Sequence, residues 1–118
     1  MSERSIAEVI AQYNEAFRLH DPQLLVGLIA EDCVIEDTTP APDGARHVGG
    51  AACLARWTGL AGDHGLTFTP EDVEIVGDRA VIPWQLTWGP GPADRVRGVN
   101  LMRLRAGRII EALGYVKS

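Results

Sequence analysis

The sequence has few cysteines, few positive charges and no long apolar run, and each shortage argues against a class of protein. Two cysteines, Cys33 and Cys53, are too few for a disulfide framework, and their apolar surroundings predict small, buried, reduced side chains. Eleven lysines and arginines against sixteen acidic residues give a net charge of −5, which argues against nucleic acid or an anionic membrane as partner. No apolar stretch approaches the roughly 18 residues of a transmembrane helix.

Signatures of metal and cofactor binding are also scarce. The histidines His20, His47 and His64 are far apart and have charged neighbours, so we predict surface positions for them and no metal site. Gly49-Gly50 is typical of a turn or helix start and does not make a phosphate-binding loop. We therefore expect no cofactor. The first residues include an acid and no apolar run, which predicts no secretory signal and a cytoplasmic location.

Hydrophobic periodicity predicts helices in the first half and strands in the second. The first helix begins with the capping box Ser5–Glu8 and ends near His20, a short second helix starts at Asp21-Pro22, and a third runs from residue 51 to about 60. Strands are predicted at 33–37, 66–76, 79–88, 95–105 and 108–116. This order indicates one α+β domain, 1–118, with helices covering one face of a curved, mostly antiparallel sheet.

Three polar residues interrupt the apolar pattern. Tyr13 lies in the buried stripe of the first helix, Asp37 closes the first strand on its buried parity, and Asn100 lies in the apolar row of strand 95–105. A buried polar group costs about 1–3 kcal/mol unless it is hydrogen-bonded. Each residue also has a purely structural explanation: a core tyrosine bonded to a carbonyl, a loop-capping carboxylate, and an amide bonded to buried water. They form a site only if they point into one space.

Large apolar side chains are predicted near these polar groups. Strand parity and helix faces predict that five of them lie in the core or wall a pocket: Trp84, Trp88, Met102, Trp57 and Phe17. The opposite face of strand 95–105 carries a row of arginines that is either solvated or at an interface: Arg95, Arg97, Arg103 and Arg105. On the last strand, alternation does not decide which parity faces inward.

Several segments carry a family resemblance. Residues 13–17 (Tyr-Asn-Glu-Ala-Phe), 28–32 (Leu-Ile-Ala-Glu-Asp) and 34–37 (Val-Ile-Glu-Asp) resemble the first half of ketosteroid isomerases and SnoaL-like polyketide cyclases, and 98–109 resembles their closing hairpin. Both families belong to the nuclear-transport-factor-two-like superfamily. The resemblance implies a cone-shaped roll in which three N-terminal helices and the sheet enclose an apolar pocket. It also implies a homodimer.

The resemblance further implies roles for the three polar residues. Tyr13 stands at the oxyanion-hole tyrosine of the ketosteroid isomerases, Asp37 at their general base, and Asn100 where they have a protonated aspartate. Asn100 is a departure, because an amide is a weaker donor than a carboxylic acid. The implied function is metal-free acid/base catalysis on a hydrophobic, enolisable carbonyl compound, by isomerisation or cyclisation. The catalytic acids of limonene epoxide hydrolases, which share this fold, are missing.

Two non-enzymatic hypotheses stay open at this point, since a fold does not determine a function. The pocket could bind a hydrophobic small molecule without chemistry. Alternatively, the domain could be a dimerising interaction module whose arginine row and Glu111 form pairs between subunits, with the pocket filled by side chains. A cavity too small for a ligand would favour the interaction module over the ligand-binding protein.

Overall fold

The computed structural model describes residues 4–117 and consists of a mixed sheet with helices packed on one side of it. The helices are α1 (Ile6–Arg18) and α2 (Gly50–Ala61). The strands are β1 (Ile29–Glu36), β2 (Arg46–Val48), β3 (Thr67–Pro70), β4 (Glu74–Val76), β5 (Arg79–Thr87), β6 (Arg95–Arg105) and β7 (Arg108–Val116). Neither helix is long and apolar enough to cross a bilayer.

The seven strands form one sheet in the order β2-β1-β7-β6-β5-β3, and β4 pairs with the other end of β5. All neighbours are antiparallel except β1 and β7, which run parallel. The predicted strand 66–76 is therefore two short strands on the same neighbour. The core lies between the sheet and the helices and includes Ile10, Cys53, Ile82 and Ile109.

The first helix forms as its sequence predicts. The backbone N–H of Glu8 donates to Ser5 Oγ at 3.1 Å, and the backbone N–H of Ser5 donates to Glu8 Oε1 at 2.9 Å, completing the capping box. Val9, Ile10, Tyr13 and Phe17 are buried against the sheet. The stripe of α1 therefore forms one wall of the interior.

The predicted second helix is wrong, and residues 4–117 contain two α-helices where three were expected. Only a 3-10 turn, Pro22–Leu25, forms after Asp21, whose Oδ1 accepts from Gln23 N at 3.1 Å. Gly27 then adopts a φ of 85°, which leaves the helical region. The apolar residues at helical spacing after Asp21 do not form an α-helix, because the last of them, Ile29, begins β1.

A β-bulge explains why alternation does not decide the inward face of the last strand. Arg103 pairs with Glu111, whereas the next residue, Leu104, pairs with Ile109, so Ile110 is the extra residue of β7. Ile109 and Ala112 are both buried although they differ in parity. The inward parity of β7 is thus that of Ile109 before the bulge and that of Ala112 after it, so each of the two alternating patterns is correct on one side of the bulge.

The arginine row on the outer face of β6 forms ion pairs within the chain. Arg97 Nη2 lies 2.9 Å from Glu71 Oε1, and Arg105 Nη2 lies 2.8 Å from Asp32 Oδ1. Arg103 makes a looser pair with Asp78, at 3.9 Å. Three of the four arginines therefore have a partner within the chain.

Candidate active site in the cavity

A cavity of about 260 Å³ lies between α1, α2 and the sheet. Its walls are mainly apolar: Phe17, Ile35, Trp57, Leu60, Leu66, Phe68, Trp84, Leu86 and Ala112. The three polar residues of the sequence pattern, Tyr13, Asp37 and Asn100, all line it. The cavity is therefore not filled by side chains, and it brings together polar groups that are remote in the sequence.

Aromatic rings form a continuous contact series along one side of the cavity. The Tyr13 ring centroid is 4.8 Å from that of Phe17 and 5.0 Å from that of Trp57, in an edge-to-face arrangement with the latter. Phe68 continues the series, 5.3 Å from both Phe17 and Trp84. Such a wall presents flat, polarisable surface to a ligand.

Two of the five predicted wall residues do not line the cavity. Trp88 lies just beyond the end of β5, where its backbone N–H donates to Asp94 O at 3.0 Å, and the residue is 47% exposed. Met102 is buried between its neighbours Ala80 and Ala112, further along β6 than Asn100. Strand parity placed Met102 on the inward face of β6 and Trp88 on the extension of the inward face of β5. Parity does not show where along a strand the cavity lies.

Asp37 is held from its backbone and its side chain. It follows β1, and its N–H donates to Ala45 O at 2.9 Å, which closes the intervening loop. His47 Nε2 lies 2.9 Å from Asp37 Oδ2, within hydrogen-bond distance. Arg56 Nε lies 2.8 Å from the same oxygen, but its N–H is not aligned for a hydrogen bond, so this contact is an ion pair by proximity. The carboxylate is 14% exposed.

His47 and Arg56 are site residues that the sequence reasoning missed. His47 was predicted at the surface, but β2 pairs it with Ile35, which places its side chain on the same side as Asp37. Arg56 precedes Trp57 on α2 and lines the cavity. The nearest sequence signal for Arg56 was its position beside a predicted wall residue.

His20 was also predicted at the surface, and it lines the cavity instead. Its backbone has a φ of 53°, and its Nδ1 lies 3.0 Å from Ala61 O at the end of α2. Its ring stacks on the exposed His64 at a centroid distance of 4.6 Å. His20 thus joins the ends of the two helices at the edge of the cavity.

Tyr13 is the most deeply buried polar group of the site, with 2% of its surface exposed. Burial raises the pKa of Tyr13 far above its ordinary value, and the nearby Asp37 adds to the rise, while an interaction with the Asn100 side chain partly opposes it. Tyr13 therefore keeps its proton at neutral and mildly alkaline pH. It is a hydrogen-bond donor throughout that range.

Asn100 has space around it because its partner on β7 is Gly114. A Cβ added at Gly114 would lie 3.2 Å from Asn100 Oδ1 and 3.1 Å from Thr38 Cγ2. The absence of a side chain at this position keeps the polar end of the cavity open.

The cysteines lie behind the site and are free and buried. Cys53 Sγ on α2 is 3.4 Å from Cys33 O on β1, and burial raises the pKa of both thiols. No group of three or more potential ligand side chains within residues 4–117 is arranged to hold a metal ion.

The fold and cavity define a class: an α+β roll of the nuclear-transport-factor-two-like type with a polar cluster inside an apolar pocket. The sequence model of the SnoaL-like domain family matches residues 10–112, and the chain therefore belongs to this family. No curated protein matches the chain.

Solved structures support the same assignment. An NTF2-like protein of unknown function from Mesorhizobium loti is 47% identical over the whole of both chains, with a TM-score of 0.89. A loop-truncation variant of IdmH is 27% identical over 94% of this chain and 91% of that one, with a TM-score of 0.71. A putative polyketide cyclase from Sinorhizobium meliloti, 24% identical over 90% and 92%, has a TM-score of 0.71 and shares the fold.

Proposed function

We propose that the protein is a cofactor-independent acid/base enzyme that acts on a hydrophobic, enolisable carbonyl compound. The observation that carries the proposal is the common cavity of Asp37, Tyr13 and Asn100 inside apolar walls. Double-bond isomerisation and ring closure both begin with the same enolate, so both reactions fit this arrangement.

Asp37 is the proposed general base. Its Oδ2 faces His47 and Arg56, whereas no residue between 4 and 117 bonds to its Oδ1. Oδ1 would take the proton from the carbon next to the carbonyl and return it to another carbon or to a ring-closed product. A positioned general base contributes about 10²–10⁴-fold to a rate.

Tyr13 is the proposed donor to the enolate oxygen. Because its pKa is raised by burial, it remains protonated while negative charge develops on the substrate. Asn100 interacts with Tyr13 and lines the same cavity, so its amide would support the phenol or donate to the oxyanion itself. One such donor is worth about 10²–10³-fold in rate.

The cavity size restricts the substrate. A volume of about 260 Å³ lies just below the range of about 300–1,000 Å³ that is usual for ligand pockets. This volume and the aromatic walls favour a one- or two-ring ketone over a four-ring steroid. Exclusion of water by these walls would strengthen the hydrogen bonds to the enolate.

Uptake of solvent deuterium at the α-carbon of 2-tetralone, a two-ring ketone, tests the proposal. The wild-type protein should accelerate exchange over buffer, Asp37→Asn should reduce the acceleration by about 10²–10⁴-fold, and Tyr13→Phe by about 10²–10³-fold. Trp88→Phe, outside the cavity, should leave it unchanged. Full exchange in both site variants, or 2-tetralone bound without exchange, would overturn the catalytic role and leave a binding protein.

We propose a homodimeric assembly and a cytoplasmic location on separate grounds. The outer face of β6 and β7 exposes Leu101 and Tyr115, which are 36% and 54% exposed. The two free, buried thiols fit a reducing compartment.

A further inference from the structure

We infer that Arg56 recognises an anionic group on the ligand, and that the ligand is a small ring-bearing carboxylic acid. This inference rests on the proposed active site and specifies its substrate class. It follows from the way in which Arg56 contacts its surroundings.

The guanidinium of Arg56 is unusual in being incompletely bonded while it lines a cavity. Its Nε is buried and has no aligned hydrogen-bond partner, and its terminal nitrogens bond to no residue in the described range 4–117. By contrast, Arg97 and Arg105 each direct a terminal nitrogen at a carboxylate, at 2.9 and 2.8 Å. The Arg56 side chain is 39% exposed, so its terminal donors are open to solvent and to a group that enters the cavity.

The geometry of the guanidinium indicates which group fits. Arginine carries five N–H donors in a rigid plane, and two parallel donors match the two oxygens of a carboxylate. Asp37 lies at the Nε side of Arg56, at 2.8 Å. The terminal nitrogens are therefore the part of the group that remains for a bidentate contact with a ligand.

The charges around the cavity permit an anion. Glu36, which also lines the cavity, is 3.3 Å from Arg46, and Asp37 has His47 as a second partner at 2.9 Å. Both acidic side chains therefore have a contact other than Arg56, and Arg56 lies beside Asp37, the acid that an incoming anion would approach. A monoanionic carboxylate matches a single arginine among apolar walls, whereas a phosphate dianion would need further cations.

A matched pair of probes tests the inference: 2-naphthoate and the uncharged 2-naphthamide, which have the same ring and nearly the same shape. Binding is measured at pH 7 by calorimetry and by quenching of tryptophan fluorescence, because Trp57 and Trp84 line the cavity. The wild-type protein should bind 2-naphthoate about 10–100-fold more tightly than 2-naphthamide, the usual effect of a charge-assisted bidentate contact.

Three variants assign the preference to Arg56. Arg56→Gln should lose it, and Arg56→Lys should keep a reduced preference because it retains the charge without the fork. Arg103→Gln makes the same change of net charge on the outer face of β6 and should leave the preference intact. If Arg56→Gln does not fold, the comparison of Arg56→Lys with the wild type decides.

Several outcomes overturn the inference: equal affinity for the two probes, failure of both to bind at millimolar concentration, or an unchanged preference in Arg56→Gln or Arg56→Lys. These outcomes are separable from failure of the proposed function, because deuterium exchange is measured on an uncharged ketone. Exchange without a preference for the acid removes only the inference. A preference without exchange removes only the catalytic proposal.

Discussion

His47 Nε2 lies 2.9 Å from Asp37 Oδ2, and this contact joins β2 to the residue that follows β1. His47 is not among the residues that line the cavity. Whatever His47 contributes to chemistry therefore passes through the orientation of the Asp37 carboxylate. The contact leaves Oδ1, the oxygen without a bonded partner between residues 4 and 117, as the one available to a substrate.

We expect His47→Leu to lower the maximal rate of α-carbon exchange about ten- to a hundredfold, with KM nearly unchanged, because a misplaced base loses rate and not affinity. His47→Gln keeps a side-chain donor and should recover part of the rate. Initial rates over a range of ketone concentrations measure both parameters. A change in KM alone would show that His47 touches the ligand, contrary to this assignment.

Gly44 supports Asp37 from the loop, and we predict that it cannot be replaced. Its φ is 79°, and an added Cβ would overlap the backbone carbonyl oxygen of Asp37. Gly44→Ala should lower the free energy of unfolding by more than the roughly 1–2 kcal/mol that left-handed backbone alone costs an L-residue. It should also reduce exchange.

Gly77→Ala is the matched control for this prediction. Gly77 has a φ of 61° and no atom within 4 Å of an added Cβ, so it carries the backbone cost without the clash. Chemical denaturation of the two variants gives the difference. Equal losses of stability would contradict a specific role for Gly44 beside Asp37.

Local patterns in the sequence predicted the elements that depend on local interactions. The capping box of Ser5 and Glu8 and the buried stripe of α1 formed as expected, since the box depends on residues within one turn and the stripe on spacing within a single helix. The prediction of the second helix failed because its apolar spacing fits a helix and the start of a strand equally well. The backbone conformation of Gly27 lies outside the helical region and ends the helical turn. The face of β7 depended on a bulge opposite β6, which no pattern within β7 encodes.

Only those site residues that interrupt an apolar pattern could be predicted from the sequence. Tyr13 and Asn100 were visible because each is polar in an apolar row. His47 and Arg56 were not, because a histidine beside a charged residue is ordinary at a surface, and a single arginine on an amphipathic helix is ordinary on its solvent face. Their contacts with Asp37 arise when the loop closes and α2 packs on β1, which are tertiary events without a local sequence signature.

The burial of Tyr13 predicts a loss of stability at alkaline pH. Its pKa is raised in the folded protein, so above the ordinary value of about 10 the unfolded chain releases this proton while the folded protein keeps it. The contribution is fully present below pH 10 and is lost as the pH rises further. Its slope approaches about 1.4 kcal/mol per pH unit.

Tyr13→Phe removes this proton from the balance. Urea denaturation between pH 9 and 11 should show a shallower decline in the free energy of unfolding for Tyr13→Phe than for the wild type. Trp88→Phe is the control, because it changes an aromatic residue that is 47% exposed and carries no titrating proton. The same slope in the wild type and Tyr13→Phe would mean that the phenol is not buried.

The thiols should be unreactive in the folded protein. Cys33 and Cys53 are both 0% exposed, and burial raises the pKa of each, so little thiolate is accessible to a disulfide reagent. We expect no reaction with Ellman's reagent under native conditions and two equivalents in guanidinium. Thr58→Cys, at an exposed position of α2, should react at once with one equivalent. Rapid labelling of the wild type would contradict the buried arrangement.

The outer face of the sheet predicts association through β6 and β7. Leu101 pairs with Leu113, and Val99 with the exposed Tyr115, which forms an apolar strip on the side away from the helices. Sedimentation equilibrium should give twice the chain mass of 12.8 kDa, and Leu101→Glu should give the monomer, because it places an unpaired charge in the strip. Val76→Glu introduces the same charge at a more exposed apolar residue on β4 and should remain dimeric. A wild-type monomer at all concentrations, or equal dissociation by both substitutions, would rule out this strip as the interface.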